Sequence, residues 1–274
     1  MIKKLLVFLI ISFQYSFISA SISEINNLSL FKETVYSLNE NDMVLLDIDF
    51  TVIKPCDAAL LPCGWHLRKQ YLHTLDLKRR ELLQSIIALE GKEELVDVAY
   101  IDIIKHLEEK GIPVVGLTAL EVGKYGKIEN LEDWRLVNLK QVGIDLSNSF
   151  KHKNLTSFKT FPEYNENHPL FKNGILFTNR QPKGLVFTAF INLLGHKPKK
   201  VIFIDDNLEY LKSVEQAALG LGIEFIGFHY RAIENSCCDF DEKVAQIQYL
   251  YLLKYEHWLS DQEARSHNTE IQVE

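Results

Sequence analysis

Short unbroken apolar runs alternate along this chain with longer stretches in which apolar residues recur at threes and fours. Met43-Val44-Leu45-Leu46-Asp47-Ile48 is a run with no helical gaps, which predicts a strand buried on both faces over 43–48. Ile112 to Leu117, Gly174 to Thr178, Lys200 to Ile204 and Ile223 to Phe228 predict four more strands. Between them the spacing predicts helices. Over 65–90, Leu67, Tyr71, Leu72, Leu75, Leu82, Leu83 and Ile86 share a face; over 97–110, Val98, Ile101, Ile104 and Leu107 do, with Gly111 as the stop. Further helices are predicted over 131–142, 183–194, 208–219 and 246–258. Residues 145–173 show no clear period, and the polar chain from Ser260 is expected to fray. No repeat of 20–50 residues is visible. Strands alternating with helices give an α/β fold with a mostly parallel, Rossmann-like central sheet, whose ligands bind beyond the carboxyl ends of the strands.

The amino terminus adds an address. Lys3 and Lys4 precede the apolar run Leu5 to Ile11, and small residues follow at Ser19, Ala20 and Ser21. This is the order of a signal peptide over 1–20, cleaved after Ala20, although Ile18 sits where a smaller residue is preferred. The run falls short of the roughly 20 residues that span a bilayer, so the expectation is an exported periplasmic or secreted chain with no stable membrane insertion. The alternative is an uncleaved anchor. The formal charge is −7, and near −9 without the first 20 residues (28 basic against 37 acidic side chains). Such a balance offers no basic excess for nucleic-acid phosphates, so no nucleic-acid partner is expected. Of the four cysteines, Cys56 and Cys63 are placed to close a short loop around Pro62, while Cys237 and Cys238 are adjacent. A Cys56–Cys63 bridge and four free thiols both stay open. No Cys or His spacing suggests a metal site, and Trp134, Tyr249, Tyr251 and Trp258 read as packing residues.

The polar residues at the strand ends change the picture most. The first strand ends in Asp47-Ile48-Asp49-Phe50-Thr51, the second in Thr118, the third in Thr178-Asn179 with Arg180 and Lys183 following, and the fourth in Asp205-Asp206-Asn207. A parallel sheet puts these ends along one edge. Carboxylates crowded there repel one another unless a cation neutralises them, and hard oxygen ligands suit Mg²⁺. Asp47 and Asp49 are a candidate nucleophile and general acid/base for phosphoryl transfer. Thr118 and Lys183 are candidates to hold phosphoryl oxygens, with Asn179 and Arg180 as further substrate contacts. Asp47, Asp49, Asp205 and Asp206 are the candidate metal ligands.

Asp47-Ile-Asp49-Phe-Thr51 resembles motif I (DxDxT) of the haloacid dehalogenase (HAD) superfamily, Leu-Thr118 its motif II, Lys183 its motif III and Ile-Phe-Ile-Asp205-Asp206 its motif IV. The four stand in the family's order over about residues 43–230. The resemblance implies a HAD-like core in which Asp47 becomes an aspartyl-phosphate and Asp49 is the acid/base. It also implies Mg²⁺ held by Asp47, the backbone carbonyl of Asp49 and Asp205. The runs around Thr118, Thr178-Asn179 and Pro182-Lys183-Gly184 are similar to an exported HAD branch, a domain of unknown function, known mainly from intracellular bacteria. Two positions depart from pattern. Phe50 stands where many members carry Gly or a polar residue, and Leu120 where an arginine often follows motif II in the exported branch.

Sixty-eight residues separate Asp49 from Thr118. The resemblance makes their helices, at about 55–105, the place for a small cap that closes over the site. The expected organisation is therefore a signal peptide at 1–20, a core with its cap over 21–230, and a C-terminal helix and polar tail over 231–274. The expected activity is a Mg²⁺-dependent phosphatase acting on a small phosphomonoester. A non-catalytic secreted binding protein or effector on the same scaffold, and a phosphotransferase, are the rival readings. Neither the substrate nor the oligomeric state is legible in the sequence.

Overall fold

The computed structural model describes residues 19–150, 155–235, 237 and 240–267. Residues 1–18, which carry most of the expected signal peptide, and 268–274 lie outside the described residues.

The chain opens with β1 (Ala20–Ile25), α1 (Ser29–Tyr36) and β2 (Met43–Leu46). A small antiparallel pair, β3 (Ile53–Pro55) and β4 (Glu93–Leu95), brackets α2 (Trp65–Leu72) and α3 (Leu77–Glu90). Then come α4 (Ala99–Glu109), β5 (Val114–Thr118), α5 (Leu131–Gln141) and three short strands: β6 (Leu155–Ser157), β7 (Leu170–Lys172) and β8 (Ile175–Phe177). The remainder is α6 (Lys183–Leu194), β9 (Lys200–Asp205), α7 (Leu208–Gly220), β10 (Glu224–Tyr230), α8 (Glu242–Tyr255) and α9 (Asp261–Ser266).

Eight strands form one sheet in the order β1-β10-β9-β2-β5-β8-β7-β6. The six from β1 to β8 run parallel, and β7 and β6 add an antiparallel edge. The fold is thus α/β with a mostly parallel sheet. The apolar runs are unbroken because both faces are covered. Val44 and Leu46 pack on one side against Phe31 of α1 and Tyr100, Ile103 and Leu107 of α4. Met43 and Leu45 pack on the other against Phe187 and Phe190 of α6 and Leu211 and Val214 of α7. Full burial of one such side chain contributes about 1.5–3 kcal/mol, so these two layers dominate the stability of the sheet.

The chain builds outward from β2 through β5 to β8, then crosses back to lay β9 and β10 on the other side of β2. That reversal is a switch point, where the loops leaving β2 and β9 diverge and open a crevice. β1 was not expected from the sequence. Ala20 pairs with Phe225 and the register runs to Ile25 opposite Tyr230, so a cut after Ala20 would leave Ser21–Ile25 in the sheet.

A third apolar cluster lies apart from the sheet. Ala59, Leu60, Leu67, Leu72, Leu83 and Ile86 from the segment after β2 gather against Ala245, Tyr249, Leu252 and Trp258 from the chain's end. Of the residues 55–105 expected to form a cap, those of α2 and α3 are here, whereas Tyr100, Ile103 and Ile104 belong to the sheet flank. The C-terminal residues expected to stand apart supply the other half of this cluster.

Two expectations are corrected here. The disulfide joins Cys63 to Cys237, with Cα atoms 5.9 Å apart across 174 residues of chain, and Cys56 is free and exposed. The short Cys56–Cys63 loop is therefore not the bridge; packing of α8 on α2 brings the distant partner instead. The chain from Ser260 does not fray up to residue 267. Ser260 and Glu263 form a reciprocal capping box on α9, and the main chain of Asp261 donates to buried Asp57 at 3.0 Å. Asp57 also accepts from the Trp258 indole at 2.8 Å, while Gln248 donates to Leu259 O and Asp261. Polarity in this tail is spent on long-range hydrogen bonds.

Candidate functional site

After β2 the chain turns sharply: the amides of Val52 and Ile53 both donate to the carbonyl of Ile48, and that of Phe50 to Ile53 O at 2.7 Å. Phe50 takes the left-handed conformation, φ 64°, which costs a non-glycine residue about 1–2 kcal/mol. This turn swings Asp49 clear of the sheet while Asp47 stays at the strand end, 5% exposed. The Thr51 hydroxyl comes back under Asp47, donating to its Oδ2 at 2.9 Å and accepting from the amide of Asp206 at 3.1 Å. One threonine therefore ties the ends of β2 and β9 together.

Lys183 sits between the same two strands. Its Nζ lies 2.5 Å from Asp47 Oδ1 and 2.7 Å from Asp205 Oδ2, and its side chain is fully buried. A lysine at the first turn of a helix is disfavoured by the helix dipole; here two carboxylates outweigh that. α6 reaches this position because Gly184 lies against α7, where a Cβ would stand 2.0 Å from Ser213 O. Burial alone would lower the pKa of this ammonium, but Asp205 and Asp47 hold it above its ordinary value.

Asp47, Asp205 and Asp206 bring one carboxylate oxygen each within 4.8 Å of one another. Their charge is not fully compensated by Lys183. Burial, then repulsion from Asp205, pushes Asp47 up to about 7. Asp206 rises to about 7 through burial and Asp47, and Asp205 to about 6 through burial, opposed by Lys183. Three hard oxygen donors with unspent negative charge fit a divalent cation such as Mg²⁺. The Asp49 carboxylate is not part of this group. Its Oδ1 accepts from Arg135 at 2.6 Å and its Oδ2 faces the Thr118 hydroxyl at 3.4 Å.

These ends open into a cavity of about 500 Å³, within the range of small-molecule sites. Asp47, Asp49, Thr118 and Asp206 line it together with Leu60, Trp65, Arg68 and Ile87, from the third cluster and its flanks. Four of the predicted residues do not line it: Asp205, which is 0% exposed, Lys183, Asn179 and Arg180. Lys183 lies behind the carboxylates, sealed from the cavity. Asn179 is fully buried and spends its amide on the loops around it, accepting from Val122 N and donating to Tyr164 O and Asn167 O. Arg180 pairs with Glu121 and stacks on Tyr164. Asn179 and Arg180 thus shape the loop after β8 rather than the cavity.

The residue that sequence reasoning missed is Arg135. It is 3% exposed and bonds Asp49, Glu93 of β4 at 2.8 Å and Asn138 at 2.8 Å, with its guanidinium over the Trp134 ring at 4.5 Å. Burial lowers its pKa, and Asp49 and Glu93 more than restore it. One cation therefore links the core, the β3–β4 pair and the Asp-x-Asp turn. Leu120 brings no cation, but Arg135, Arg68 and Lys92 all line the cavity. Trp134, expected as packing, is a cavity wall.

Against known families, the model described as "Protein of unknown function (DUF2608)" matches residues 19–265. The chain belongs to the DUF2608 family. An uncharacterized protein of Rickettsia felis is 27% identical over 242 residues, 81% of each chain, and one of Rickettsia bellii 26% identical over 243 residues, 82% of each. Over 85 residues, 31% of this chain and 32% of the other, there is 31% identity to a Chlamydia pneumoniae protein whose name assigns it provisionally to the outer membrane. A HAD-like family hydrolase of Streptococcus pneumoniae superposes with a TM-score of 0.35 at 13% identity, covering 71% of this chain and 96% of that one. Among the described residues of this DUF2608 chain, no helix is long and apolar enough to cross a membrane.

Proposed function

We propose that this protein is an exported, Mg²⁺-dependent phosphatase of HAD type that hydrolyses a small phosphomonoester through an aspartyl-phosphate. The observation that carries the reading is the convergence of Asp47, Asp205 and Asp206 around one point beside Lys183 at the switch point of the sheet. The amino-terminal pattern of residues 1–20 supports export.

Asp47 is the nucleophile. Lys183 and Thr51 fix both its oxygens, so the carboxylate meets a phosphorus atom without searching rotamers. Its oxygen forms a bond to phosphorus as the bond to the ester oxygen breaks, and that oxygen leaves with a proton from Asp49. Water then attacks the phosphoryl group, gives its proton to Asp49 and frees inorganic phosphate and the Asp47 carboxylate. Asp49 stands across from Thr118, whose hydroxyl is placed to meet a phosphoryl oxygen. Asp47, Asp205 and Asp206 would hold the ion, which neutralises charge on the transferring group. Lys183 then acts from behind, keeping Asp47 and Asp205 ionised and close.

The test is hydrolysis of p-nitrophenyl phosphate with and without Mg²⁺, alongside Asp47→Asn. Turnover that requires the ion and disappears in the variant is expected. Wild-type turnover in Asp47→Asn would overturn the nucleophile; product transfer to added alcohols would move the reading to a phosphotransferase.

A further inference from the structure

The cavity is more aromatic than phosphate chemistry needs. Phe50, Trp65, Tyr125, Trp134 and Tyr210 all line it, so two of the chain's three tryptophans face one space. Trp65, the first residue of α2, is 46% exposed, and its ring meets Phe50 edge-on at 5.7 Å. Phe50 stands in its left-handed turn one residue after Asp49, so its ring lies beside the carboxylates. The aromatic wall therefore begins where a phosphoryl group would end. Arg68, three residues after Trp65 in α2, adds a cation to the same lining. A guanidinium carries five N–H donors in a planar fork, which suits an acceptor on a bound ligand.

Resting on the phosphatase reading, we infer that the substrate is a phosphomonoester whose alcohol carries a flat aromatic heterocycle with a hydrogen-bond acceptor on its outer edge. A nucleoside monophosphate has this chemistry. The phosphate lies at the Asp47 end, the ring stacks along the wall of Trp65 and Trp134, and the acceptor meets Arg68. A cavity of about 500 Å³ accommodates such a ligand whole and leaves a triose phosphate largely unsupported.

The matched pair adenosine 5′-monophosphate and ribose 5-phosphate tests this, because they differ by the base. With Mg²⁺ and the full chain, kcat/KM is expected to favour the nucleotide by about tenfold or more, the usual scale of one base stacking on aromatic side chains. Trp65→Leu should bring that ratio down several-fold, and Arg68→Met should raise KM for the nucleotide more than for the sugar phosphate. Equal kcat/KM for the two esters in wild type would overturn the substrate class and leave the phosphatase intact. If neither ester is hydrolysed while p-nitrophenyl phosphate is, the substrate class falls and the phosphatase stands; if none of the three is hydrolysed, the phosphatase reading falls, and adenosine alone still tests the cavity. Saturable quenching of tryptophan fluorescence that weakens in Trp65→Leu upholds the aromatic site, and no quenching rejects it.

Discussion

Replacing Lys183 by Met measures how far the acidic nest depends on its single buried ammonium. The substitution keeps the length of the side chain and its contacts with Phe203 and Tyr210, whose rings lie 5.5 and 4.5 Å from Nζ. It leaves Asp47 and Asp205, with side chains 7% and 0% exposed, facing each other without a counter-ion. Removing one partner of a buried ion pair costs about 3–5 kcal/mol, because the remaining charge has neither water nor partner. At a urea m-value of about 3 kcal/mol/M, the unfolding midpoint falls by about 1–1.7 M. The assay is urea unfolding followed by circular dichroism at pH 7.5, once in EDTA and once in excess Mg²⁺. The loss should be largest in EDTA. At a free concentration of about 100 times Kd, a bound ion returns about 2.7 kcal/mol to either protein. In the variant the ion also replaces the missing positive charge, so the gap between variant and wild type narrows. A midpoint in EDTA within about 0.3 M of wild type, far below the shift expected for a broken buried pair, would refute the clamped nest. A gap of the same size with and without Mg²⁺ would refute a cation held by the same carboxylates.

Four further outcomes follow from the geometry. Cys63→Ser should lower stability by about 2–5 kcal/mol under oxidising conditions, whereas Cys56→Ser, at a free exposed thiol, should leave it unchanged; equal melting temperatures for both would argue against the Cys63–Cys237 bridge. Arg135→Met should cut kcat by about a hundredfold through misplacement of Asp49, with Arg135→Lys restoring only part because an ammonium cannot span Asp49, Glu93 and Asn138. Burial holds Asp57 above its ordinary pKa, so the folded chain keeps a proton the unfolded chain has lost, and this contribution to stability is present at low pH and fades as pH rises through the folded value. Asp57→Asn should flatten that slope in pH-dependent unfolding; an unchanged slope would assign it elsewhere. Phe50→Gly relieves about 1–2 kcal/mol of left-handed strain but loses the ring against Trp65, so the melting temperature should stay close to wild type, and a large fall would mean the ring is a core element.

The central layer of the fold was legible because physics leaves little choice there. A strand covered on both faces must be apolar at every position, and Met43–Leu46, Val114–Thr118 and Lys200–Asp205 fall within or beside the runs read as strands. Elements that bury one face or none carried no such signature. β1 is an edge strand with Ser21, Ser23 and Glu24 at the surface, and its sequence overlaps the expected cleavage region. β6 and β7 are three residues each, too short for a period to show. The pairing of α2 and α3 with α8 could not be read either: each helix displays a partner-seeking face, but nothing in the periodicity of Leu67, Leu72 and Leu83 names Tyr249 and Leu252 as what they meet.

The same division runs through the site. Strand-end residues were legible since a parallel sheet carries its carboxyl ends to one edge whatever the strand order, and so Asp47, Thr118 and Asp205 had to share that edge. Strand order then decides the chemistry. β9 beside β2 puts Asp205 and Asp206 on one side of Asp47, where three carboxylates can share a cation. β5 on the other side brings Thr118 against Asp49. The carboxylate cluster and the Thr118 hydroxyl are thereby separated across Asp47, the proposed nucleophile, which no spacing in the chain could reveal. Arg135 was illegible for a stronger reason. Its partners Asp49 and Glu93 lie 86 and 42 residues away, on a turn and on the short strand β4 that pairs with β3. A helical arginine among charged neighbours reads as solvated surface until the fold buries it. Its burial in turn requires Glu93, which the insertion supplies. Asp49, the proposed acid/base, is therefore held by the core and by β4 of the insertion jointly, so the insertion is part of the geometry of the proposed site rather than an appendage to it.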